Sequence, residues 1–242
     1  MLRNNTDSKN QVLQDIPRGI VFGFNELEKS SSTQAMIKML NRKVVKGELV
    51  KLSKGRFYKP EKTIFGQLQA PINEVVKDFL YKNGSCIGYL TGLSIYNQFG
   101  LSSQVSSVIQ IGRNSLRPAL QRLQYKIHFV QQKNIITQQN IPLLQYLDCI
   151  RFIKKIPDST VSKAVSRLLS LLDDFSDEQK EAMVSLVLQY PPSTRALFGA
   201  MLEYCQQYSL ADSLFDTLNP ITTYQFIDVD KILPNTNKWN IV

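Results

Sequence analysis

Apolar residues recur at helical spacing at Met36, Met39, Leu40 and Val44, in a run that ends at Gly47, a natural residue just past a helix end. Ser30-Ser31-Ser32-Thr33 places N-cap hydroxyls before that run. Upstream, Phe24–Lys29 fits a short helix, with Ser30–Ser32 as the turn between the two. Downstream, 48–52 and 56–58 read as two short strands joined by Ser53-Lys54-Gly55 and stopped by Pro60. Helix, turn, helix and a two-stranded hairpin make a winged helix-turn-helix. Phe65–Pro71 then reads as a linker. A helical period follows over Ile72–Tyr81, closed by Asn83-Gly84, and 88–99 reads as a second, small-residue helix. Strands are predicted at 107–112 and 126–131. Helices are predicted at 143–153, 160–172, 177–190 and 193–207, and Ser176-Asp177-Glu178-Gln179 and Pro192-Ser193-Thr194 supply caps. Asn219–Val242 is expected to be an irregular arm. The pattern predicts an α+β protein, mainly α with small β: residues 1–66 as the winged unit and 67–242 as a larger, mostly helical α+β domain. At 242 residues, 43% of them hydrophobic, both parts can bury cores.

Charge sharpens this division. Between residues 31 and 62 there are nine basic residues (Lys38, Arg42, Lys43, Lys46, Lys51, Lys54, Arg56, Lys59 and Lys62) against two acids, Glu48 and Glu61, a surplus of +7 out of a net +9. A local surplus on one small folded unit is the electrostatic footprint of a nucleic-acid reader, although the same count also describes a solvated basic face. The arrangement favours the first. Opposite the apolar stripe lie Gln34, Lys38, Asn41 and Arg42, all hydrogen-bond donors of the kind that read base edges in a major groove. Ser32 and Thr33 at the helix start and Lys46 near its end extend that surface. Lys51, Lys54, Arg56 and Lys59 on the hairpin would meet the phosphate backbone. Val45 interrupts the polar face, and Lys43 leans toward the apolar side.

Catalytic chemistry has little to stand on. One histidine, His128, lies between Ile127 and Phe129 in a strand, and the acidic group Asp173-Asp174, Asp177-Glu178 sits where helix capping explains it. Phosphate-loop, dinucleotide and nucleophile-elbow motifs are not found, so neither an enzyme nor a cofactor or metal site is expected. Cys86, Cys149 and Cys205 are widely spaced and odd in number, which argues against a disulfide framework. Met1–Asn5 lacks an apolar leader core and no run reaches the length of a membrane span, so a cytoplasmic protein is expected.

The stretch from Ala35 to Pro60, with Leu40-x-Arg42, Lys46-Gly47, Gly55-x-Phe57-Tyr58 and Pro60 in order, resembles the N-terminal domain of AbiEi-type antitoxins. It departs from that pattern at Lys43, where an apolar residue is usual. The segment Gly88–Ser102 is similar to the second-domain signature of the same family, and the resemblance spans residues 17–205. It implies a DNA-binding antitoxin of a type IV toxin–antitoxin system in phage defence. The winged helix would bind double-stranded DNA at its own operator and repress its operon. The second domain would counter a cognate nucleotidyltransferase-like toxin without needing a stable complex. The residues alone leave open a standalone transcriptional regulator whose helical domain binds a ligand or dimerises, and an adaptor with no DNA target.

Overall fold

The structure, a computed structural model, describes residues 13–27 and 33–242. It is an α+β chain that divides into two compact units. The division falls between Asp78 and Phe79, with residues 122–124 grouped with the first unit.

In the first unit a three-stranded antiparallel sheet runs in the order β1 (Val21–Gly23), β3 (Arg56–Tyr58), β2 (Val50–Ser53). Helix α1 (Thr33–Val45) packs on it. Met36 and Leu40 are buried with Phe22, Leu27, Leu49 and Phe57, while Met39 and Val44 pack at the edge of the same cluster. The stripe read from the sequence is therefore the buried one. The helix ends in a Schellman turn: Gly47 N donates to Val44 O at 3.0 Å and Glu48 N to Lys43 O at 2.9 Å. Gly47 takes φ 68°, a backbone setting that costs glycine least. This turn sends the chain directly into β2.

Several expectations need correction here. Strand β1, three residues long, was not expected. The described part of the upstream helix, Phe24–Leu27, is 3-10, and its predicted end at residues 28–29 and the predicted cap at residues 30–32 lie outside the described residues. Phe65–Pro71 is not an open linker, because β4 (Glu61–Thr63) and β5 (Gly66–Leu68) form a second hairpin there. The Ile72–Tyr81 helix is broken at Val76 into α2 (Ile72–Val75) and α3 (Lys77–Leu80).

The second unit carries a four-stranded sheet in the order β10 (Leu120–Arg122), β11 (Tyr125–Gln131), β9 (Val108–Arg113), β8 (Tyr89–Thr91). Strands β9 and β11 pair in parallel, with Ile109 opposite Ile127, and β8 pairs antiparallel with β9. A short hairpin, β6 (Tyr81–Lys82) with β7 (Ser85–Cys86), precedes the sheet and turns through Asn83-Gly84. The helix expected over 88–99 is half strand. Gly92 at φ 69° ends β8 and starts α4 (Leu93–Gln98), and a Cβ at this position would lie within contact-breaking distance of Gln110.

The remaining helices follow the predicted breaks: α5 (Ile141–Arg151), α6 (Val161–Leu172), α7 (Asp177–Val187), α8 (Pro192–Tyr204) and the unexpected α9 (Tyr208–Phe215). Thr160 caps α6 by accepting from Lys163 N, and Ser176 with Gln179 forms a reciprocal capping box on α7. Helix α8 begins one residue before the expected Ser193 cap, with Pro192 in its first turn and no side-chain cap. Helix α5 is buried on nearly every side, from Leu143 to Ile150. The C-terminal segment is irregular, as expected, but it is no arm. Trp239 is fully buried against Gly199 of α8, and its indole Nε1 donates to Glu203 Oε2 at 2.7 Å. Asn235 and Lys238 bind the same carboxylate.

Asp148 of α5 organises the interior polar groups of this unit. It is buried and accepts from Tyr89 Oη (2.8 Å), Thr91 Oγ1 (2.9 Å) and Tyr190 Oη (3.0 Å). Gln132 Nε2 donates to both tyrosine hydroxyls at 2.8 Å, and its Oε1 accepts from Asn134. The network joins β8, α5, the end of β11 and the turn after α7. Burial pushes the Asp148 carboxyl above its ordinary value; the three hydroxyls and the charge of Arg151 oppose that rise without cancelling it. A carboxyl raised on folding stabilises fully below its unfolded value and loses that contribution as pH rises through the folded one. Two outcomes are expected in thermal and urea unfolding. Asp148→Ala, which removes the acceptor shared by three buried hydroxyls, should cost about 2–4 kcal/mol. Asp148→Asn should cost less and should flatten the fall in stability between acid and neutral pH.

Candidate nucleic-acid interface

Burying Met36 and Leu40 fixes which way the rest of α1 points. Gln34, Lys38, Asn41 and Arg42 are all exposed, and among the described residues none is held in a side-chain pairing that would turn it away from solvent. Lys46, just beyond the helix, is exposed as well. Ser32 and the side chain of Thr33 lie outside the described residues. Val45 is 88% exposed and does interrupt this surface. Lys43 is half-buried and pairs with Glu48 at 2.7 Å, an ion pair that holds the Glu48 carboxyl below its ordinary value. The departure from the apolar pattern at Lys43 is thereby absorbed locally, with the ammonium neutralised beside the helix end.

The wing divides into two kinds of cation. Lys51 on β2 and Lys54 in the β2–β3 turn are exposed. Arg56 and Lys59 are each engaged within the protein. Arg56 Nε lies 3.4 Å from Asp78, whose carboxylate also takes both guanidinium nitrogens of Arg122, at 2.5 and 2.8 Å. Burial would raise the Asp78 carboxyl, but Arg122 and then Arg56 hold it below its usual range. Lys59 Nζ donates to the backbone carbonyls of Gln14 (2.9 Å) and Ile16 (2.8 Å), and partial burial followed by the nearby charge of Arg18 lowers its affinity for a proton. Lys59 is thus a strut that ties residues 14–16 to the end of β3. Two of the four hairpin cations expected to face phosphate thus carry partners inside the protein, while Lys51 and Lys54 are exposed.

Sequence reasoning missed two contributors. Exposed Arg18 lines a cleft of about 770 Å³ together with Lys43, Lys59 and Lys62, accompanied by Asp15 and Glu48. The signal that could have found Arg18 is weak, a lone cation 24 residues before the basic cluster's second member. The second hairpin, β4–β5, carries exposed Lys62 and leans on the end of α1 through Gln67 Nε2, which reaches Gly47 O at 3.5 Å. Elsewhere, His128 sits on β11 opposite Gln110, and among the described residues no cluster of three or more His, Cys, Asp or Glu could hold a metal ion. None of the described helices is long and apolar enough to cross a membrane.

Residues 9–180 match the profile of DUF6088, a family of unknown function. The chain belongs to this family. The match takes in the whole of the first unit's described residues and runs through the second as far as α7, leaving α8, α9 and the buried C-terminal segment beyond it. Among solved structures, the chain is similar to that of the RV2827C protein from Mycobacterium tuberculosis. The two share 14% identity with a TM-score of 0.58, over 89% of this chain and 82% of the other. At that identity the likeness is one of fold. The chain matches no curated protein.

The two kinds of wing cation give a direct test. If this face binds duplex DNA, Lys54→Ala should leave the melting temperature unchanged and weaken binding to every duplex by a similar factor. Lys59→Ala should lower the melting temperature, because two backbone carbonyls lose their partner. Differential scanning fluorimetry beside fluorescence anisotropy separates these effects. Equal melting temperatures for both variants would contradict the strut.

Proposed function

We propose that the chain is a DNA-binding regulator whose first unit docks α1 in a major groove, with Lys51 and Lys54 of the wing on the flanking backbone. One observation carries the reading. The apolar stripe of α1 is buried and its opposite face presents Gln34, Lys38, Asn41 and Arg42 to solvent, within the segment that holds +7 of the chain's net +9. Amide and guanidinium side chains on an exposed helix face suit paired donor–acceptor contacts to base edges, which a face of lysines alone would not make. The resemblance of residues 35–60 to AbiEi-type antitoxins supports the further reading that the DNA is the protein's own operator. In that reading the second unit counters a nucleotidyltransferase-like toxin encoded beside it, acting in the cytoplasm and without catalysis of its own. The second unit suits an interaction role, since Asp148, its most deeply buried carboxylate, is enclosed by hydroxyls and is not open to a substrate.

Anisotropy with the gene's own upstream duplex tests the first part. If about three to five phosphates are neutralised, log K should fall against log[salt] with a slope of about −3 to −4.5. Arg42→Ala should relax the preference at one base position, costing about 1–3 kcal/mol there. A flat salt response, or a uniform loss across all positions for Arg42→Ala, would contradict this docking. Co-expression with the adjacent nucleotidyltransferase-like gene tests the second part: growth should be rescued by the full chain and by Arg42→Ala alike.

A further inference from the structure

The β4–β5 hairpin breaks a local rule at its tip. Thr63 and Gly66 face each other across the ladder, so the loop consists of Ile64 and Phe65 alone. Two-residue hairpin loops ordinarily carry Asn, Asp or Gly, and a large apolar pair gains nothing from such a turn unless it meets a partner. Ile64 and Phe65 are each 93% exposed. The loop is held in shape by Thr63, whose Oγ1 donates to Gly66 O at 3.1 Å and accepts from Phe65 N at 3.2 Å. The hairpin is also placed by its neighbour, through the contact of Gln67 with Gly47 at the C-terminal end of α1. Its surroundings carry a cationic excess: Lys62 on β4 and Lys46 beyond α1 are exposed, and both act on Glu48, which is already paired with Lys43, against exposed Glu61 at the base of β4.

From this geometry we propose that Ile64 and Phe65 form an apolar wedge that enters the minor groove beside the α1 contact and partly unstacks a base step. The wedge rests on the DNA reading above. A rigid two-residue apolar tip with cations at its base matches what a kinked duplex requires, side chains that replace lost stacking and charges that hold the adjacent phosphates. An anionic membrane would also accept an apolar tip with flanking lysines. Duplex DNA is favoured because the same unit exposes Gln34, Asn41 and Arg42, whose amide and guanidinium groups have base edges to read in a groove and no counterpart on a lipid surface. A second copy of the chain would meet the same surplus of positive charge on the facing hairpin.

The test uses the full chain, Phe65→Ala and Ile64→Ser. Both positions are exposed, so the variants should keep the parent melting temperature. A closed circular plasmid carrying the gene's upstream region is relaxed by a type I topoisomerase in the presence of each protein. The parent should shift the topoisomer distribution, because unstacking unwinds the duplex, and both variants should lose most of that shift. On a short labelled duplex, Phe65→Ala should bind about tenfold more weakly with an unchanged salt slope, since a stacking contact is lost and no phosphate contact is. A variant that unwinds the plasmid and binds like the parent overturns the wedge and leaves the DNA reading standing. No binding by the parent at low salt overturns both. Phe65-dependent pelleting with phosphatidylserine vesicles, or Phe65-dependent dimerisation in sedimentation, with topoisomers unmoved, assigns the tip to a membrane or a second copy and overturns the wedge.

Discussion

The small core beneath α1 is the constraint on which the first unit's surface depends. A helix of 13 residues with one apolar stripe can bury one side, and here Met36 and Leu40 commit that side to Phe22, Phe57 and Leu49. The donors on the opposite face of α1 are then forced outward. The Schellman turn at Gly47 adds the second condition, because it returns the chain as β2 within a few residues and so brings Lys51 and Lys54 to the same unit. The position of the donors is thus a consequence of packing, and no donor needs its own device to hold it outward.

The second unit is built on a different principle. Its sheet pairs β9 with β11 in parallel, and its helices enclose α5 with apolar side chains, leaving Asp148 as a charge-bearing group deep in the interior. The cost of that burial is offset by three hydroxyl donors, two on β8 and one in the turn after α7, which in turn fixes how those segments meet α5. An apolar residue at the position would remove the burial cost and strand the hydroxyls together. The network therefore specifies the packing more than it adds stability, and it is closed to solvent chemistry.

Much of the first unit was legible in the sequence because its signals are local. The stripe Met36, Met39, Leu40, Val44 has helical period, Gly47 marks the end, and the face Gln34, Lys38, Asn41, Arg42 follows from that period alone. The partners of Arg56 and Lys59 were not legible for the opposite reason: Asp78 and the carbonyls of Gln14 and Ile16 lie 22 and more than 40 residues away, beyond any pattern of spacing. Strand β1 is three residues and too short to show alternation. Tyr89–Thr91 was taken into a helix because small neighbours and an apolar run fit either period, and only tertiary pairing with β9 decides it. The C-terminal segment looked like an arm from its Asn and Pro content, yet Trp239 and Val229 bury it, a packing effect that composition does not carry.

Lysine reactivity tests the account most directly. The full chain would be acetylated with and without its upstream duplex, and the modified lysines quantified by mass spectrometry. The account predicts that the duplex protects Lys38, Lys46, Lys51, Lys54 and Lys62, leaves Lys59 slow in both states because its ammonium is held by two carbonyls, and does not change Lys133 or Lys231 of the second unit. Protection centred on Lys133 and Lys231, with Lys38 and Lys54 unchanged, would contradict it.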